Sequence, residues 1–71
     1  MQAELNREKL RAIREENNLT QEKLAELSDI SDRHLRKLET ADTKPSADVL
    51  CRISHALEVS MDELMTIHSE Y

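Results

Sequence analysis

One start signal occurs four times in this chain: an aliphatic residue, then a side chain with an oxygen acceptor, then a second aliphatic four positions after the acceptor. Leu5-Asn6 with Leu10, Leu19-Thr20 with Leu24, Ile30-Ser31 with Leu35 and Val59-Ser60 with Leu64 all fit it. Each places an acceptor where the first free N–H groups of a helix need one, and a hydrophobic staple that fixes how the chain enters the helix. Glu63 follows Ser60 by three residues and completes a capping box. A fifth start is Pro45-Ser46, where Ser46 caps and the proline keeps Lys44 out of helical geometry. The starts predict helices over about 6–17, 20–28, 31–40, 46–58 and 60–67.

No glycine, a single proline and a single aromatic residue leave little to favour strands, while Leu, Glu, Lys, Arg and Ala favour helix throughout. The fold expected is all-α, a compact five-helix bundle forming one domain over residues 1–71. Leu10, Ile13, Leu24, Leu35, Leu38, Leu50, Ile53, Leu57 and Leu64 recur at helical spacings and predict one shared core. Only Asp29 and Ile30 separate the second helix from the third, which forces a sharp turn between two short helices. That is helix-turn-helix geometry, over about 20–40.

Charge narrows what such a bundle can bind. The net charge is −5, unfavourable for a generic coat on phosphate backbones. It is unevenly spread. Between residues 31 and 44, Arg33, Arg36, Lys37 and Lys44 outnumber Asp32, Glu39 and Asp42 by one. From residue 46 onward, Arg52 alone opposes Asp48, Glu58, Asp62, Glu63 and Glu70. The middle of the chain is therefore its most favourable surface for a polyanion. No apolar stretch is long enough for a membrane span, and no secretory leader pattern opens the chain, so a cytoplasmic protein with no membrane partner is expected. Cys51 has no partner thiol and is expected to fill the core.

The run from Leu10 to Leu64 resembles the lambda-repressor and Cro type of helix-turn-helix domain, the Xre family. The resemblance rests on Arg14-Glu15-Glu16-Asn17-Asn18-Leu19-Thr20-Gln21, Leu24-Ala25-Glu26, Ile30-Ser31, Leu35, Leu38-Glu39, Pro45-Ser46 and the segment from Ala56 to Leu64, in that order and without gaps. It implies a sequence-specific regulator of transcription, a dimeric repressor on a near-palindromic operator in double-stranded DNA, with the third helix in the major groove and the second across the backbone.

Carried over position by position, Gln21 resembles the family's backbone-contacting glutamine at the start of the second helix. Ser31, Asp32, Arg33, His34, Arg36, Lys37 and Lys44 fall on or beside the recognition helix. Arg33 and Lys37, one turn apart, suit guanine O6 and N7, and Asp32 suits a cytosine amine. Arg14 and Glu39 resemble a structural ion pair joining the first helix to the end of the third. Leu64, Met65, Ile67 and Tyr71 carry apolar surface in the region through which family dimers associate. Three positions depart from the family's common glycines: Asn18, Asp29 and Ala41. Asn and Asp tolerate left-handed backbone, and Ala41 stands as the exception. Asp42 places a carboxylate where phosphate contacts are usual, and Leu27 is apolar at a position usually polar.

These departures support a second reading: a protein-interaction module of the same fold, antitoxin-like or antirepressor-like, with weak or no DNA binding. An enzyme is not expected. No nucleophile is paired with a base, and adjacent acids such as Glu15-Glu16 and Asp62-Glu63 point in different directions on a helix. His34, His55 and His68 lack metal-ligand spacing, so neither metal nor cofactor is expected.

Overall fold

The computed structural model describes residues 2–41 and 44–68. Strand β1 (Gln2–Leu5) is followed by helices α1 (Arg7–Glu16), α2 (Gln21–Ser28), α3 (Asp32–Thr40) and α4 (Ala47–Leu57), a 3-10 turn (Met61–Leu64) and strand β2 (Met65–His68). All five starts are capped as their residue types demand. The side chains of Asn6, Thr20, Ser31, Ser46 and Ser60 accept from the backbone N–H of Lys9, Lys23, His34, Val49 and Glu63. Each satisfies one of the donors a helix start leaves free.

Three helices also end alike. Asn18, Asp29 and Glu58 adopt left-handed backbone, with φ of 57°, 55° and 57°. In each case the next residue donates its N–H five positions back: Leu19 to Arg14, Ile30 to Ala25 and Val59 to Ser54, at 3.0–3.1 Å. This is the Schellman closure, made here without glycine. Leu19, Ile30 and Val59 thus each serve twice, closing one helix and supplying the aliphatic residue that precedes the next cap. All three pack against the core. A left-handed residue, an aliphatic and a capping side chain make a complete connection, which is why these turns are so short.

The core is Leu10, Leu24, Ala25, Leu35, Leu38, Leu50, Ile53, Leu57 and Leu64, with Ile13 half-buried against it. Burial of each leucine stabilises the fold by about 1.5–3 kcal/mol, and together they hold α3 between α1 and α2.

The last element departs from expectation. Ser60 starts a helix, but it lasts one 3-10 turn, and residues 65–68 are a strand antiparallel to β1, with Leu5 opposite Met65 and Gln2 opposite His68. Thr66 and Ile67 are β-branched and lose side-chain freedom in a helix, while β1 supplies ladder partners for their backbone. The Asn6 N–H extends the pairing to Leu64 O at 2.8 Å. The helix-turn-helix class is unchanged by this, with four α-helices among the described residues rather than five.

Three single-residue expectations are also corrected. Cys51 is exposed rather than in the core, because it lies on the outer side of α4 while Leu50, Ile53 and Leu57 take the inner side. Leu64 is fully buried in this domain's own core and has no surface to offer a dimer. Ala41 ends α3 in extended geometry, φ −121°, and has no need of glycine. Asp42, Tyr71 and the side chain of Ile67 lie outside what the structure describes.

Glu58 carries a Cβ into a conformation that disfavours one, whereas Ala41 does not. Glu58→Gly is therefore expected to raise unfolding stability in urea by about 0.5–1 kcal/mol, and Ala41→Gly to lower it by about 0.4–1 kcal/mol. Equal effects of the two glycines would contradict this account of the turns.

Candidate nucleic-acid interface

The helix-turn-helix unit is α2, the turn at Asp29 to Ser31, and α3. Its geometry is held from behind by one buried carboxylate. Glu39, near the end of α3, has a fully buried side chain. Arg14 of α1 donates to it twice, from Nε at 2.8 Å and from Nη2 at 3.1 Å, in a two-pronged ion pair. A third donor comes from the first residue of α2: Gln21 Nε2 lies 3.1 Å from Glu39 Oε1. Arg14 Nη1 also donates to Leu19 O at 2.7 Å, so the same guanidinium fixes the chain entering α2.

The turn is held from another side by α4. Arg52 Nη1 donates to Asp29 O at 3.1 Å and lies 3.5 Å from its carboxylate, while Nη2 pairs with Asp48 at 3.1 Å. Arg7 Nη1 donates to Ala41 O at 3.2 Å, so α1 also holds the end of α3.

Buried Leu35 and Leu38 point α3 inward and leave Arg33, His34, Arg36 and Lys37 exposed. Arg36 Nη2 is paired with Asp32 Oδ2 at 2.9 Å, one turn earlier. Among the described residues, Arg33 and Lys37 have no ion-pair partner. Being four apart, they share one face. Asp32 is half-buried, and its other oxygen, Oδ1, is buried without a hydrogen-bond partner among the described residues. Ser31 is exposed and its Oγ accepts from the His34 N–H. Lys44 is exposed just before α4. Gln21, half-buried, bridges the edge of this face and the Glu39 carboxylate.

The residues of the expected interface thus lie on α3, its cap, the start of α2 and the lead-in to α4. Met65 is half-buried in β2, and Leu27 is 51% exposed on α2. Two contacts escape a sequence reading: the Gln21 link to Glu39 and the Arg52 clamp on Asp29. The Asp48 and Arg52 spacing is legible as a helical ion pair, but nothing in the sequence points Arg52 at a turn twenty-three residues away.

This fold and face define a helix-turn-helix domain of the Cro/C1 type. Residues 10–64 match the helix-turn-helix family model, and the chain belongs to that family. An uncharacterized HTH-type transcriptional regulator of Mycobacterium tuberculosis is 42% identical over 55 residues, which cover 78% of this chain. The chain spans only 39% of that relative's length. The DNA-binding domain of the P22 c2 repressor superposes with a TM-score of 0.79 at 30% identity, covering 90% of this chain and 84% of that one. The restriction-modification controller protein C.AhdI of Aeromonas hydrophila gives 0.78 at 28% identity, covering 82% and 88%. The family and fold are those of DNA-binding transcriptional regulators. No helix among the described residues is long and apolar enough to cross a membrane.

The buried ion pair makes a stability prediction. Arg14→Met alone leaves Glu39 as an unpaired buried charge and is expected to lower unfolding stability by about 3–5 kcal/mol. Adding Glu39→Met removes that charge and should restore most of the loss in urea unfolding. A double variant as unstable as the single would refute the uncompensated charge as the cause.

Proposed function

We propose that this chain binds duplex DNA sequence-specifically as a transcriptional regulator, a repressor acting by occupancy in the cytoplasm, with α3 in the major groove. The observation that carries the reading is the pair of unpaired, exposed cations Arg33 and Lys37 on one face of α3. Their donors suit the O6 and N7 acceptors of guanine. Arg36, His34, Ser31, Lys44 and Gln21 flank that face and would serve the phosphates, which fix register without carrying sequence information. Asp32 would act chiefly by aiming Arg36, since its Oδ2 is already engaged. Direct acceptance from a cytosine amine would require that pair to open.

A second copy would double the phosphate contacts of an acidic protomer. The C-terminal strand, with Met65, is the proposed two-fold surface, and the operator would be near-palindromic with half-sites about 34–36 Å apart. Selection of purified protein against randomised duplexes, at low and moderate salt, is expected to enrich such a palindrome. Weak binding that vanishes near physiological salt, with no enrichment, would leave only the nonspecific electrostatic attraction and contradict the proposal. On the selected operator, Arg33→Ala and Lys37→Ala should each relax preference at a base pair by about 1–3 kcal/mol. Equal loss on every sequence would assign both residues to the backbone instead.

The exposed Leu27 favours a protein partner as a second reading. Under it, Leu27→Glu abolishes capture of that partner while operator affinity stays within twofold. Operator affinity falling in step with partner capture would argue against a separate protein-binding face.

A further inference from the structure

We infer that Glu39 is a positioning residue for DNA binding as well as an architectural one: it pins the Gln21 amide so that the amide's remaining donor faces the phosphate backbone. The inference rests on the DNA-binding reading above. A carboxylate can only accept, so the Gln21 group turned toward Glu39 Oε1 must be the NH2. That chemistry fixes which way the amide lies. One N–H is committed to Glu39, and the second, held in the same plane, is available at the half-exposed edge of the site. Gln21 is also the first residue of α2, where backbone N–H groups already favour an anion. An unpinned glutamine would sample many rotamers and present its carbonyl to phosphate as readily as its N–H, and ordering it on binding would oppose affinity.

The pin is itself rigid. Glu39 is fully buried and held by two hydrogen bonds from Arg14, so it has no freedom to follow Gln21. One carboxylate therefore sets the position of α1, α3 and the first side chain of α2 together. The ion pair and the phosphate contact are coupled through Oε1, which accepts from both Arg14 Nη2 and Gln21 Nε2.

Two measurements test this. In the free protein, proton exchange at the Gln21 side-chain amide is expected to be slowed at one of its two N–H groups relative to a glutamine side chain in an unstructured peptide. Exchange at both positions as fast as in the unstructured peptide would overturn the pin without any variant. On the selected operator, Gln21→Ala is expected to weaken binding about tenfold in the native background. In the Arg14→Met/Glu39→Met background, which offers the Gln21 amide no acceptor at position 39, the same change should cost less than twofold. A merely structural Glu39 would lower stability and affinity in both proteins yet leave the Gln21→Ala effect at its full size, which would overturn the positioning role. Failure of the native protein to bind any duplex would instead reject the DNA reading, and the phosphate role of Gln21 with it, whatever the exchange result.

Discussion

A buried carboxylate must find donors or be neutralised, and in this domain the donors of Glu39 come from two different helices. Satisfying that one group fixes where α1 and the start of α2 lie relative to α3. The leucines supply most of the free energy, but hydrophobic burial is non-directional and would tolerate small rotations of α3. The two-pronged Arg14 contact does not, because a guanidinium offers its donors in a fixed plane. What the ion pair adds is a single defined orientation for α3 and its proposed DNA-reading face.

The connections work under the opposite constraint. A chain of 71 residues without glycine has to reverse direction after α1, α2 and α4 using residues that bear a Cβ. Asn18 and Asp29 do so with short polar side chains that visit the left-handed region at modest cost. Glu58 has no such advantage and sits away from the proposed interface. At Asp29 the arrangement carries a second function: its carbonyl is the acceptor for Arg52, so α4 reports directly to the turn that sets α3.

Much of this was legible because it is local. A cap and its staple span five residues, so Asn6, Thr20, Ser31, Ser46 and Ser60 announce the helices and, through Asp29 and Ile30, the helix-turn-helix. The core leucines follow from the helical period. What was not legible depends on contacts distant in sequence. Pairing Gln2–Leu5 with Met65–His68 joins the two ends of the described chain, and neither segment alternates long enough to signal a strand. Composition says that Cys51 is apolar, not which way its helix turns it, and Leu64, expected both in the core and at a dimer surface, belongs to the core alone. Left-handed geometry at Glu58 gave no sign, since glutamate is not a residue type that marks a turn. In the candidate site, the residue types on α3 are legible in advance, but not which are engaged: Arg36 pairs with Asp32, while Arg33 and Lys37 have no ion-pair partner among the described residues.

The charge distribution sets the harshest condition on the account. A net −5 protein must present its few available cations on one face and turn its acids away from the duplex. The most direct test is a nitrogen–proton correlation spectrum recorded while a short duplex is titrated in at low salt. Shifts confined to the start of α2, the α3 cap and its exposed face, and residues 44–46 are the predicted result. Shifts centred on Leu27 or the outer side of α4, with α3 unmoved, would contradict the claim that α3 is the DNA-reading element.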